Sequence, residues 1–420
     1  MKLKKSLVLA AAVAAAVAAP GAFATNGYFS HGYGIKAKSM GGAGIALPQD
    51  ALAAATNPAG MAIVGDRIDF GVDYFSPKRA ATWGTNEFGV TTGTYNSGST
   101  SFYIPEFGYN KMISPSSSLG VSVFANGGMN TDYGAKILAG GTTNTFSNLE
   151  QLFIAPTWAT KSGNHAFGAS LLIARQTFEA RGLQGFDVAG TTAYIGNVTD
   201  KGEDTSTGVG VKLGWTGQLS QNVALGVTAQ PQISMSKFSK YKGLFAEQGK
   251  FDIPAVYGVG LTFKASPATT FAFDVSQIKY GSVKSIANKA EQLPSVTGAL
   301  LGNNDGAGFG WKDQTVYKIG VIHQYSPTLA LRAGFNYAQM PITDKNTYFN
   351  ILAPATVEQH LTLGATWTLA NKSELTVGYM HAFSKELKGI AGGNGNTVTG
   401  YPVDLKMDQN SLGIAYGWKM

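Results

Sequence analysis

Five histidines, His31, His165, His323, His360 and His381, are the residues best able to move a proton or hold a metal, and no two of them stand at a ligand spacing such as HExxH. The chain has no cysteine, which removes thiolate nucleophiles, thiol metal sites, disulfides and a lipidated cysteine together. A serine or acid nucleophile needs a histidine oriented beside it in space, and nothing in the order of the residues marks such a pair. The run Gly41 to Gly44 lacks the GxxxxGKS/T pattern of a phosphate loop and reads as tight packing. The expectation is a protein that is not an enzyme and uses no cofactor and no metal.

The remaining chemistry is ionic. Lys212, Lys318 and Arg332 each occupy the polar face of an apolar, alternating segment, as do Lys264, Asp274, Glu358 and His360. Arginine can grip a carboxylate at two points and lysine supplies a point charge, so Lys318 with Arg332 is the candidate carboxylate-binding pair. The competing reading is structural, in which such bases pair with Asp69, Asp73, Asp274 and Glu358. Tyr33, His31, Lys36 and Lys38, nearer the N-terminus, either meet a ligand or hold their own segment in place.

The elements that would position these residues are strands. From about Arg67 apolar residues alternate with small or polar ones, as in Val209, Val211, Leu213, Trp215 and in Leu361, Leu363, Ala365, Trp367. The opposite face carries charge and many of the 54 glycines, and polar inside with apolar outside is the arrangement of a membrane barrel. Alternation predicts fourteen strands, at 67 to 76, 101 to 113, 118 to 133, 150 to 161, 164 to 178, 206 to 219, 222 to 237, 251 to 265, 269 to 281, 313 to 326, 328 to 341, 357 to 369, 373 to 386 and 408 to 419. Short joints such as Ser114 to Ser117, Ser266 to Ala268 and Ser326-Pro327 alternate with long polar loops near 179 to 205, 282 to 312 and 387 to 407, so the short turns face the periplasm and the long loops the outside.

Lys2, Lys4 and Lys5 precede an apolar run from Leu7 to Ala19 that ends in Ala22-Phe23-Ala24, the pattern of a secretory signal peptide over 1–24 cleaved after Ala24. Removing those three lysines lowers the formal charge from +7 to +4, a mild and scattered bias that points to no nucleic-acid partner. No later apolar run approaches the roughly 20 residues of a helical span. Residues 25–65 show no period of two, yet carry Met40, Ile45, Leu47, Leu52, Met61 and Ile63, which argues for a compact plug inside a barrel formed by 66–420. Asp50 is placed to cap a helical turn over Ala51 to Ala55 that Asn57-Pro58 ends.

The segment HGYGIKAKSMGGAGIALPQDALAAATNPAGMA, His31 to Ala62, resembles the signature of the FadL family of outer-membrane transporters, with Gly41, Gly42 and Ala43, then Asp50, then Asn57, Pro58 and Ala59 in order. FDIPAVYGVGLTF (Phe251 to Phe263), WKDQTVYKIGV (Trp311 to Val321) and LRAGFNYAQMPI (Leu331 to Ile342) follow in the family's sequence of motifs. The resemblance implies an all-β, 14-stranded monomeric antiparallel barrel in the Gram-negative outer membrane, plugged by its N-terminal segment, that admits long-chain fatty acids or other hydrophobic molecules passively. It also implies a kinked third strand that opens the wall sideways. Asn126, Gly127 and Gly128 supply the local chemistry for that kink, since adjacent glycines weaken a strand and permit a bulge.

The surroundings implied are outer-membrane lipid, lipopolysaccharide and the outer-membrane assembly machinery. The chain ends on Trp418, Lys419 and Met420 rather than on the aromatic residue that many such barrels present to that machinery. An aromatic-hydrocarbon channel of the same family is the nearest alternative reading, and a general porin or an adhesive barrel the more distant ones.

Overall fold

The computed structural model describes residues 26–84, 90–289, 299–390 and 403–420; the leader expected over 1–24, with cleavage after Ala24, lies outside the described residues. Fourteen strands form one antiparallel meander: β1 Arg67–Trp83, β2 Phe102–Met112, β3 Ser117–Asp132, β4 Phe146–Ser162, β5 His165–Arg181, β6 Asp204–Gln218 and β7 Val223–Gln230, then β8 Val256–Lys264, β9 Thr269–Ile278, β10 Gln314–Ser326, β11 Leu329–Ala338, β12 Gln359–Thr368, β13 Glu374–Leu387 and β14 Val403–Lys419. β14 pairs with β1 from Arg67↔Lys419 to Trp83↔Val403, which closes the sheet into a barrel. A four-residue spur, Gly93–Asn96, pairs only with the top of β1. Closure leaves no strand edge running unpaired through lipid, the condition that a β-structure must meet to cross a bilayer.

Alternation sets the faces. Val209, Val211, Leu213, Val259, Leu363 and Ile414 all point outward and are exposed, as lipid-facing residues are. Tyrosines mark the upper rim of this apolar band, with Tyr74 opposite Tyr103 and Tyr317 opposite Tyr337. Trp158, Trp215, Trp367 and Trp418 mark the lower rim, near the chain end where the Met420 amide donates to Asp66 O. Such aromatic girdles sit at the two lipid–water boundaries. No helix among the described residues is long and apolar enough to cross a membrane, which is silent on strands.

The strands differ from the sequence-based ranges chiefly at prolines. β7 stops at Gln230, before Pro231, and β8 starts at Val256, after Pro254, because a proline cannot donate to the ladder. The residues predicted as strand ends, 231 to 237 and 251 to 255, instead curl over the barrel mouth. There Ile233 and Ile253, both fully buried, exchange backbone hydrogen bonds of 2.9 and 3.1 Å. β1, in contrast, runs seven residues past its predicted end at Ser76, through Pro77, where its partner on one side is β14 and β2 has already ended at Phe102.

Residues 26–65 lie inside the barrel and are almost entirely buried. They hold two single-turn helices, α1 Ile35–Lys38 and α2 Ala53–Thr56, and a 3-10 turn, Pro58–Ala62.

Candidate functional site

The inner segment fits because glycines stand where the wall comes closest to it. A β-carbon on Gly334 of β11 would lie 2.1 Å from the Met40 carbonyl carbon, one on Gly226 of β7 2.5 Å from Ile45 O, and one on Gly168 of β5 2.3 Å from the Pro58 carbonyl carbon. These glycines are scattered over the sequence but lie round one lumen. Gly42 closes the packing within the segment: its φ of +79° is one that side-chain-bearing residues rarely adopt, and its own β-carbon would meet His31 O at 1.8 Å.

Carboxylates of the wall take up the backbone donors that such a compact, mostly irregular segment leaves over. Glu106 on β2 accepts from Gly34 N at 3.1 Å and Ile35 N at 2.8 Å. Asp274 on β9 accepts from Gly44 N at 2.7 Å and Ile45 N at 3.1 Å, and Asp69 on β1 from Ala51 N at 2.9 Å. Buried amides without a partner would each cost about 1–3 kcal/mol, so these contacts fix where the segment sits. Ion pairs add to them: Lys38 lies 3.1 Å from Asp73 and 3.7 Å from Glu106, and Lys36 pairs with Glu374. Burial opposes the Lys38 charge, but Asp73 and Glu106 more than offset it and raise its pKa. His31, stacked on His360 at 6.0 Å, is driven well below the usual imidazole range by burial and by that neighbour.

Asp50 does not cap a helix over Ala51 to Ala55 as the sequence suggests. Its Oδ1 accepts from Leu52 N at 3.0 Å within a turn, and α2 starts one residue later with no side-chain cap. Asn57 is extended, as a residue before proline should be. It ends α2 and caps the next turn by accepting from Ala59 N at 3.1 Å, while its amide donates to Trp215 O of β6 at 3.0 Å.

Lys318 and Arg332 both face the lumen, but they reach different parts of the inner segment. Lys318 Nζ donates to Gly42 O at 3.3 Å; Arg332 donates to Gln49 Oε1 at 2.8 Å and to Thr366 Oγ1 at 2.6 Å. In the β10–β11 register Arg332 faces Ile322, four residues from Lys318, or roughly 13 Å along the strand. One carboxylate cannot bridge that distance. Lys212 is likewise taken up, donating to Ala55 O with its ammonium 5.9 Å from the Tyr33 ring. Glu358, the remaining inward acid, pairs with Lys385 at 3.0 Å.

The wall itself has a gap that periodicity did not mark in full. β2 and β3 pair from Met112↔Ser118 only as far as Phe107↔Val123, so the β2 edge from Phe102 to Glu106 has no partner on that side. Pro105 sits on this edge, where a strand tolerates proline. β3 is bulged at Asn126, between the Ala125↔Leu152 and Gly127↔Gln151 pairs. Above the gap the wall closes again, with Gly98 N donating to Asp132 O at 2.6 Å. The result is a gap in strand pairing, a window only in that sense, bordered by the buried Phe102, Ile104 and Phe124 and by Ala125.

The inner segment takes β2's place at the bulge. Ser30 N donates to Asn126 O at 3.1 Å and Gly128 N to Tyr28 O at 3.0 Å. Tyr33 Oη donates to Asn126 Oδ1 at 2.8 Å, and the Asn126 amide donates to Gln151 Oε1 at 2.8 Å. A β-carbon on Gly127 would lie 2.0 Å from Tyr28 O, so this docking requires glycine.

Above the bulge a small apolar cavity lies under the loops. Met129 and Leu149 of β3 and β4, Phe178 of β5, and Phe245, Phe309 and Leu352 of three loops line it. Its lining is that of a site for apolar rather than polar molecules. Its loop residues carry no periodicity, and only their apolar character within long loops could have drawn attention to them.

A closed 14-stranded antiparallel barrel with an apolar belt and a filled lumen defines a membrane β-barrel protein. A family model described as outer membrane protein transport protein (OMPP1/FadL/TodX) matches residues 11–419, and the chain belongs to that family. A search of curated proteins gives no match. Among solved structures, a Pseudomonas aeruginosa FadL homologue is 16% identical with a TM-score of 0.73, covering 94% of this chain and 99% of its own. The P. putida toluene transporter TodX is 17% identical with a TM-score of 0.68, over 93% of this chain and 99% of its own. The Ralstonia pickettii toluene transporter TbuX is 17% identical with a TM-score of 0.63, over 92% and 98%. At these identities the likeness is one of fold.

Proposed function

We propose that this protein carries long-chain fatty acids passively across the Gram-negative outer membrane, from the loop cavity past the β3 bulge and sideways through the β2–β3 window into the bilayer. The observation that carries the reading is that cavity, bulge and window lie along one strand: Met129 lines the cavity, Asn126 forms the bulge and Ala125 frames the window. Residues 26–65 act as a plug in this scheme. Their first residues hold the bulge through Tyr28 and Ser30, so withdrawal of that short stretch, and not of the whole plug, opens the route. Ligand then moves down its own gradient, past the lipopolysaccharide layer that keeps apolar solutes from the bilayer. The protein works as a monomer, is exported by its N-terminal leader, cleaved after Ala24, and is inserted by the outer-membrane assembly machinery.

An aromatic-hydrocarbon cargo is the second reading, favoured by the wholly apolar side chains that surround the cavity's two serines and by two fold relatives described as toluene transporters. Binding of palmitate to the refolded barrel, in competition with hexadecanol and with toluene, separates the two. Displacement of palmitate by toluene at equal concentration sinks the fatty-acid reading. Ala125→Trp, which fills the window, is expected to stop uptake while leaving binding in the cavity intact; unimpaired uptake removes the lateral route.

A further inference from the structure

We propose that Arg79 is the docking point for the carboxylate of a long-chain monocarboxylic acid at the inner rim of the window, and that it makes the exit selective for acids over neutral hydrocarbons. The proposal rests on the lateral route described above and adds to it a headgroup site.

Arg79 projects inward from β1 and is only 3% exposed. The other buried lysines and arginines of the lumen are accounted for. Lys36, Lys38 and Arg67 pair with carboxylates, and Lys212 and Arg332 donate to residues of the inner segment. Arg79 does neither. Its Nη2 donates to Ser99 O, in the wall, its guanidinium carbon lies 5.8 Å from the centre of the Phe102 ring, and its buried Nε has no hydrogen-bond partner. Among the described residues no carboxylate oxygen comes within 4.0 Å of it. A buried guanidinium without a counter-ion is costly.

The surroundings specify that partner. Phe102 is the first residue of the unpaired β2 edge, and the Gly98–Asp132 contact that closes the top of the window follows directly on Ser97, whose amide donates to Arg79 O at 2.8 Å. Below Arg79, Phe75, Phe102, Ile104 and Met407 form a buried apolar cluster, against which Ala125 of the β3 bulge packs. A ligand that satisfies both features has an anionic, planar head at one end and a hydrocarbon tail at the other. The head meets the free Nε and the adjacent guanidinium donors in two-point geometry. The tail lies along the cluster towards Ala125 and the lipid. Toluene uses only the second feature.

The test uses the full-length barrel reconstituted in liposomes, with palmitate, methyl palmitate and hexadecanol as probes at pH 7.5. Wild type is expected to bind palmitate roughly ten- to a hundredfold more tightly than the ester or alcohol, the worth of one charge-assisted hydrogen-bond pair. Arg79→Gln should bring palmitate down to the level of the other two and leave their binding and flux unchanged, and Arg79→Lys should retain part of the preference. Equal binding of acid and ester by wild type overturns the proposal without recourse to any variant, as does a palmitate preference that survives in a folded Arg79→Gln barrel. Failure of wild type to pass any of the three probes instead sinks the transport reading.

Discussion

Gly127 and Tyr28 approach so closely that a β-carbon on the glycine would lie 2.0 Å from the tyrosine carbonyl oxygen, which couples the start of the inner segment to the bulge in β3. Gly127→Val should therefore leave the barrel closed, since the β3–β4 pairs on either side persist, but expel residues 26–34 from their seat. The expected readout is an unchanged heat-modifiable gel band with new protease cleavage near Tyr28. Wild-type protection in this variant contradicts the coupling.

Glu106 accepts two inner-segment amides and is the longer of the two carboxylate contacts of Lys38, so Glu106→Gln weakens those bonds while Asp73, at 3.1 Å, still pairs with the ammonium. A loss of about 1–2 kcal/mol in urea-unfolding stability is expected. Lys38→Met should cost less in this variant than in wild type, because one of the two ionic contacts of Lys38 is already gone. Additive losses in the double variant argue that the two residues do not act together.

Lys318 and Arg332 provide a test of position against charge. Because both donate to the inner segment, Lys318→Ala with Arg332→Ala is expected to loosen residues 40–50, seen as faster amide exchange, with little change in the ratio of acid to alcohol binding. A lost acid preference with unchanged exchange would transfer the headgroup site from Arg79 to this pair.

Asp50 gives the inner segment a pH response. Burial first, and then the negative charge of Asp69, push its carboxyl up to about 6. A raised acid pKa means that this group's contribution to stability is fully present below about 4, its value in an unfolded chain, and is lost as pH rises through about 6. Exchange protection of residues 50–56 should thus fall between pH 4 and pH 7, and Asp50→Asn should flatten that slope. A slope unaltered in Asp50→Asn assigns the response to another group.

Much of the fold was legible in the chain. Runs such as Val209, Val211, Leu213 and Leu361, Leu363 alternate because each strand has one face in lipid, and the bilayer's demand that every backbone group be paired turns a set of such strands into a closed barrel. Strand ends were less legible where a local signal misled. Alternation continues past Pro231, where the ladder has lost its donor, and the range ending at Ser76 falls short of the Trp83 to which β14 still pairs. The inner segment could be anticipated from apolar residues that lack any strand period.

The site was legible only in part. Asn126, Gly127 and Gly128 could be singled out because glycines permit a bulge whatever surrounds them, and inward bases could be identified by parity alone. What each base meets was settled by closure and register, which bring Lys36 to Glu374, Lys318 to Gly42 and Arg79 to Phe102 across gaps in the chain that no periodicity spans. Sequence by itself therefore determined the class of structure, through the repeating geometry of a strand in lipid. Only the tertiary structure decided which charges hold the inner segment and which one is left without a carboxylate at the window, because electrostatic pairing depends on distances of a few ångströms between residues that the sequence holds far apart.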